Sequence, residues 1–308
     1  MQSNNLNGFL VAYSLRSLPQ FISYAPMLKN YSTDFSSDIA GGGTAVVTRL
    51  ATTAWTANRT DIWGYTAQST TSSAVTVVLV QKDVTDAFSE LAWAACIPEV
   101  LINTFVPGQS MTLADTVVVD LIGSLSGSAA GLQHITSASS YTYYSASATA
   151  ATLDKQFVPR TTRTLILCPD CYQGLNNSLS PTYIYGQKEA IQEYENIRVA
   201  GFETYQFGGI KDAPYNVSSS VSLNSNGFTG LQLFGVATHK AALAIASRAP
   251  LEVNNGLVTA VNHTDETSGF TMQNRVSYLQ QSGQYQLSST AIYGCAAGNA
   301  AGAVLIVA

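Results

Sequence analysis

The stretch Val158-Pro-Arg-Thr-Thr-Arg-Thr-Leu-Ile-Leu-Cys-Pro169 decides how this chain is read. Upstream of it, Ser145 to Phe157 is Ala-rich and suits a short helix running into Leu153-Asp154. Pro159 cannot continue that helix, because its ring removes a backbone donor and clashes with the preceding turn. Thr164 to Leu167 is then an apolar run of strand length, closed by Pro169. Arg160 and Arg163 sit between helix and strand. They are either solvated charges, or at least one makes a charge-assisted bond to a carboxylate such as Asp154 that fixes the turn.

Three further pieces follow in order. Glu195 to Tyr205 places Gly201-Phe202 as a turn into a strand, after a polar helix at about residues 187–194. Val236-Ala-Thr-His-Lys-Ala-Ala-Leu-Ala-Ile-Ala246 reads as a strand, and Tyr293-Gly294 precedes a last apolar strand. Together the four pieces resemble the capsid subunits of tailed bacteriophages, which have the Hong Kong 97-type fold. The matching positions are Asp154, Pro159, Arg160, Arg163, Pro169, Gly201, Phe202, Tyr293 and Gly294.

The resemblance implies an α+β fold with an N-terminal arm (1–38), an extended β-hairpin loop (39–82), a peripheral domain with a spine helix (83–127), an axial domain (128–233) and returning peripheral and axial strands (234–308). It implies a structural protein, not an enzyme. As a major capsid protein the chain would form hexamers and pentamers of an icosahedral head enclosing double-stranded DNA, which it would touch non-specifically. Its partners would be copies of itself and the scaffold, portal and decoration proteins of the same virus. It would reside in the virion after synthesis in the host cytoplasm.

Composition points the same way. The chain has 308 residues, enough to bury a sizeable core, and only 11% are charged. Ser, Thr, Ala, Gly and Asn fill the polar positions, and a sparsely charged surface favours association. A net charge of −5 and the lack of a basic run argue against sequence-independent nucleic-acid binding, which needs clustered Lys and Arg. The first residues lack the positive region and apolar core of a secretory signal, so cytoplasmic synthesis is expected. No apolar run approaches the roughly 18 residues needed to span a bilayer.

Residues 1 to 38 show no sustained period and read as an extended arm without a core of its own. After Gly41-Gly-Gly43, the β-branched blocks Thr44 to Trp55 and Ala74 to Val80 make a long hairpin. Its Trp55, Trp63 and Tyr65, with Arg49, are candidates for an interface between subunits. Asp86 to Cys96 places Phe88, Leu91, Ala92 and Ala95 at helical spacing up to Pro98. After Pro107-Gly108, Thr112-Leu-Ala-Asp115 resembles a capping box, and Leu113, Val117 and Leu121 form the stripe of a helix ending at Gly123. The spine helix would lie there.

Catalytic chemistry finds little footing. No phosphate-binding loop, dinucleotide fingerprint, nucleophile elbow or zinc-protease motif occurs, and the carboxylates are dispersed. Cofactor, metal and catalytic residues are therefore not expected. The alternative is a small redox or metal-binding enzyme using Cys168 and Cys171, spaced as Cys-x-x-Cys. Neither a second cysteine pair nor paired histidines accompany them, and buried thiols are the favoured reading. One phage family member welds its subunits through a Lys in the extended loop. Residues 51 to 80 contain no Lys, which argues against that cross-link here.

Overall fold

Among the described residues, two six-stranded sheets and a separate hairpin are joined by two long helices. The computed structural model describes residues 3–39, 45–51, 72–89, 98–125, 131–135, 137–179, 198–210, 233–252, 258–265 and 269–307. In chain order these form helix α1 (Ser3–Tyr24), the single turn α2 (Leu28–Tyr31), strand β1 (Thr33–Asp34), the hairpin strands β2 (Ala45–Ala51) and β3 (Ser72–Val78), strand β4 (Val80–Ser89) and helix α3 (Pro98–Gly123). Strand β5 (Gly131–His134), helix α4 (Tyr143–Lys155), strand β6 (Arg163–Leu167) and helix α5 (Pro169–Ser178) come next. The remainder is strand: β7 (Arg198–Val199), β8 (Phe202–Gln206), β9 (Leu233–His239), β10 (Leu243–Arg248), β11 (Val258–Thr264), β12 (Thr271–Leu279), β13 (Gln284–Ala297) and β14 (Ala303–Val307).

The first sheet has the order β1-β10-β13-β12-β11, with β4 along the other side of β13. Strand β13 is long enough to serve three partners: residues 284–290 face β12, 284–293 face β4 and 292–297 face β10. The second sheet has the order β5-β14-β9-β6-β8-β7. Its strands β6 and β14 are buried at every residue, as expected of apolar runs covered on both faces. Helix α4 packs on β14, and α5 packs on β6 and β8.

The segment Val236 to Ala246, expected as one strand, is two strands in two sheets. It breaks at Lys240–Ala242, where the His239 Nδ1 atom accepts the Ala241 N–H at 3.2 Å. Strands β13 and β14 make the return crossing beside it, and the Gly298 N–H donates to the Ala242 carbonyl at 2.8 Å. An antiparallel ribbon thus passes from one sheet to the other, and the main core runs continuously through both.

Three expectations are corrected. Residues 3–24 are not extended: α1 buries Phe9, Leu10, Tyr13, Leu18 and Phe21 against α3 and the first sheet. Its apolar stripe is interrupted by Ser14 and Ser17, which are equally buried, so the helical period is hidden in the sequence. Residues 86–89 are strand, not helix. Lys82, Val84, Asp86 and Phe88 are half-buried and alternate with exposed neighbours along β4, a period of two; residues 90–97, with Leu91, Ala92 and Ala95, lie outside the described residues. Helix α3 starts at Pro98, the helix position that tolerates proline, and runs through Pro107-Gly108 without stopping. Thr112 is therefore no cap. Its hydroxyl donates back to the Gly108 carbonyl at 2.9 Å. Burial of Val106 before the junction and of Leu113, Val117 and Leu121 after it outweighs the local propensity to break. The expected stripe is fully buried.

Gln109, just past that junction, is the centre of a buried polar network. Its Oε1 accepts from the Tyr13 hydroxyl at 2.8 Å and lies 2.8 Å from Ser289 Oγ. Its Nε2 donates to Asp86 Oδ2 at 2.7 Å and to the Leu287 carbonyl at 3.1 Å. Ser289 Oγ is also 2.8 Å from Asn274 Oδ1, and Asn274 Nδ2 donates to Ser17 Oγ at 2.8 Å. One amide thereby fixes α1, α3, β4, β12 and β13 in register. Gln109→Leu should cost about 1–3 kcal/mol, because it strands buried partners. Thr112→Ala should change stability by less than about 0.5 kcal/mol, where loss of a true N-cap would cost about 1 kcal/mol. Urea unfolding of the two variants checks both values.

Candidate functional site

Most residues of the sequence signature lie at two junctions, and each junction is built differently. The first joins α4 to β6. Arg163 is only 1% exposed, an unusual place for a guanidinium, and every interaction around it serves to hold it there. Its Nη2 donates to Asp154 Oδ1 at 2.7 Å and to the Val158 carbonyl, its Nε to the Pro159 carbonyl at 2.8 Å, and its Nη1 to the Ala150 carbonyl at 3.4 Å. Arg160, on the exposed side, donates to the other carboxylate oxygen, Asp154 Oδ2, at 2.7 Å. The expected charge-assisted bond is thus present, and both arginines make it.

These bonds pull the Asp154 carboxyl below the usual carboxylate range, with the Arg160 hydrogen bond first and Arg163 next. His239, at the end of the adjacent strand β9, is held below the ordinary imidazole value by partial burial and by the Arg163 charge. Its Nε2 lies 3.2 Å from Thr162 Oγ1.

Pro169 opens α5 at the first-turn position, and Cys168 precedes it as the N-cap residue. Cys168 and Cys171 are both fully buried and neither is in a disulfide. Redox exchange needs a thiolate that a second sulfur can reach, which full burial opposes. Among the described residues no group of three or more His, Cys, Asp or Glu is arranged to hold a metal ion. At Gly201, φ is +88°, and it follows Ala200 at +50°. Two successive positive φ values close the tight turn between β7 and β8, and Phe202 enters the main core fully buried. The polar helix expected before it lies outside the described residues.

The second junction is where the β2–β3 hairpin leaves the body. A Cβ at Gly294 would stand 2.3 Å from the Val78 carbonyl oxygen, so only glycine lets β13 pass under the base of the hairpin. Tyr293 beside it donates its hydroxyl to Asp120 Oδ2 on α3 at 2.6 Å, and Lys82 of β4 approaches the same oxygen at 3.4 Å. Burial, and then the hydrogen bond to Asp120, push the Tyr293 phenol far up. Val77 is fully buried against Ala244 and Ala246 of β10. Asp120 has no counterpart in the sequence motifs; nothing short of the register of β13 over α3 would single it out.

Beyond this root the hairpin strands pair in a two-stranded sheet of their own, with Arg49 opposite Ala74. The hairpin expected from the β-branched blocks is present over the described residues. Trp55, Trp63 and Tyr65 lie outside them. Among the described residues, no helix is long and apolar enough to cross a membrane.

No family profile matches this chain, and no curated protein matches it. Solved structures do. The capsid structure of Cyanophage P-SCSP1u superposes with a TM-score of 0.57 at 10% identity, over 89% of this chain and 85% of its own. A structure of Mycobacterium phage Che8 gives 0.55 at 13% identity, over 91% and 90%. The capsid asymmetric unit of Cyanophage Pam1 gives 0.53 at 11% identity, over 94% and 91%. The α+β fold of this chain is that of phage capsid structures.

Arg163→Met should lower the urea midpoint clearly, since it strands buried carbonyls at about 1–3 kcal/mol for an unsatisfied group. Arg160→Met, on the exposed side, should lower it much less. Gly294→Ala should cost about 1–3 kcal/mol through overpacking at the hairpin root. The pH dependence has a definite sign. A depressed histidine contributes stability above its unfolded value of about 6.5, and that contribution is lost as pH falls through the lower folded value. His239→Gln should therefore flatten the first part of the acid-side decline, and Asp154→Asn the part below about pH 4. Urea titrations from pH 8 to pH 3 check both.

Proposed function

We propose that this chain is the major capsid protein of a tailed bacteriophage, a mechanical and not a catalytic protein. Copies associate into hexamers and pentamers of an icosahedral head that encloses double-stranded DNA. In this reading α3 is the spine helix of the peripheral domain, residues 128–233 with β5 to β8 are the axial domain, residues 234–308 are the returning strands, and residues 39–82 are the extended loop. Scaffold and portal proteins are its assembly partners, decoration proteins a further class, and its site is the virion after synthesis in the host cytoplasm.

The observation that carries the reading is the hairpin on this fold. Strands β2 and β3 pair with each other and with no other described strand. A lone two-stranded hairpin is marginal in water and needs a further surface to hold it. Among the described residues, the body anchors the hairpin at its root, through Gly294 and Val77. A neighbouring copy supplies the surface, and Trp55, Trp63, Tyr65 and Arg49 are the residues proposed to meet it. The low charge content fits a subunit that buries much of its exterior, since each Å² of apolar area removed from water contributes about 25 cal/mol. Repetition around a closed symmetry turns such contacts into a stable container.

Deleting Thr66 to Ser73, the proposed tip of the extended loop, tests this. The body should keep the circular dichroism spectrum and unfolding midpoint of the parent chain, while electron microscopy should show shells or capsomers for the parent and none for the deletion. Intact shells from the deleted chain, or a globally unfolded product, would contradict the assignment.

A further inference from the structure

The turn that Arg163 and Asp154 clamp presents an aromatic side chain to solvent in a conformation that disfavours it. Helix α4 ends in a Schellman motif: the Val158 N–H donates to the Leu153 carbonyl at 3.1 Å and the Phe157 N–H to the Asp154 carbonyl at 3.0 Å. The residue at the left-handed position of that motif is ordinarily glycine. Here it is Phe157, at φ +57°. Its side chain is 87% exposed, more than any other large apolar side chain described, and it belongs to none of the three apolar clusters. Val158, the next residue, does pack on the main core. The motif is thus satisfied by Val158 and gains nothing from an aromatic ring at 157.

Arg163 grips the chain on the far side of that ring, at the Val158 and Pro159 carbonyls, and through Asp154 on the near side. The clamp therefore holds Phe157 rigidly outward. Backbone strain persists where the surroundings over-determine it, and strained residues cluster at functional contacts. Rigid aromatic side chains are also the commonest anchors of protein interfaces. In sequence the ring lies between exposed Lys155 and exposed Arg160, the latter paired with Asp154, so basic side chains stand on either side of an apolar knob.

We propose that this knuckle docks onto a second copy of the chain, with Phe157 as the anchor. Charge complementarity names the receiving surface. Leu251, 82% exposed, is the next most exposed large apolar residue, and exposed Glu252 follows it. The Glu252 side chain is held in place by accepting the Asn262 N–H at 3.1 Å. An apolar side chain beside a fixed carboxylate complements an apolar knob beside basic side chains. The two surfaces are different patches, so the contact is heterologous, the class of contact that closes into a ring when its rotation divides a full turn, as a capsomer requires.

This inference rests on the self-assembly proposed above and extends it to a specific contact. The test compares the parent chain with Phe157→Gly, measuring the thermal midpoint of the dispersed subunit and the critical concentration for assembly by light scattering. The midpoint should stay level or rise, because glycine relieves the left-handed strain. The critical concentration should rise about tenfold or more, as for loss of an interface anchor. Phe157→Leu should recover part of the assembly. Lys155→Glu should weaken assembly, and adding Glu252→Lys to it should restore it.

A fall in the midpoint of Phe157→Gly would show the ring supporting its own subunit and overturn the proposal, as would an unchanged critical concentration. Failure of the charge exchange to restore assembly would remove Leu251–Glu252 as the receiving surface. Normal assembly of Phe157→Gly with lost binding of a labelled oligonucleotide would reassign the knob to nucleic acid. A parent chain that never assembles would instead overturn the capsid reading itself, and this contact with it.

Discussion

The close approach of the Val78 carbonyl to Gly294 is the contact on which the architecture depends. Strand β13 must serve β12, β4 and β10 in turn while passing beneath the root of the hairpin, and any side chain at 294 would hold the root away. The residue before it secures the same point from another direction. Tyr293 reaches Asp120 on α3, where Lys82 of β4 also converges, so the long helix, the first sheet and the hairpin root meet within two residues of one strand. Among the described residues, the base of the hairpin is thereby fixed to the body.

The interior is more polar than a core of this size requires. Tyr13, Ser17, Gln109, Asn274 and Ser289 are all buried, and their hydrogen bonds link helices and strands far apart in sequence. Apolar packing tolerates small slips of one element over another, whereas a buried amide with several partners is satisfied in one register only. The clamp at Arg163 works by the same logic at the α4-to-β6 turn. It trades the cost of burying a guanidinium for a single geometry of the α4-to-β6 turn, and that geometry sets the direction of Phe157.

The second sheet was the most legible part of the sequence. Thr164 to Leu167 and the last apolar strand are short continuous runs between Pro or Gly, and the Gly201 turn needs a residue that accepts positive φ. What could not be read was set by tertiary contacts. Helix α1 hides its period because two serines lie on its buried face: the Ser17 hydroxyl accepts from Asn274 Nδ2 and the Ser17 carbonyl accepts from the Ser110 hydroxyl, while the Ser14 hydroxyl has no hydrogen-bond partner among the described residues. Helix α3 continues through Pro107-Gly108 because buried residues on both sides hold it, against a local signal to stop. The start of the segment from Asp86 reads as helix only if Asp86 and Phe88 are not seen as alternate positions of a strand. For the candidate site, the motif residues Asp154, Arg163, Tyr293 and Gly294 were visible. Their partners Asp120, Lys82 and Val78 were not, since a fold must exist before distant residues can be neighbours.

If the body is complete within one chain and the hairpin is completed by another, the two should differ in local stability in a way that depends on assembly. Hydrogen exchange measured on the dispersed subunit and on the assembled particle tests this most directly. Amides of β13 and α3 should be strongly protected in both states, and those of residues 45–51 and 72–78 should gain protection only in the particle. Equal protection of the hairpin in both states, or exchange of β13 as fast as the hairpin in the dispersed subunit, would contradict the account.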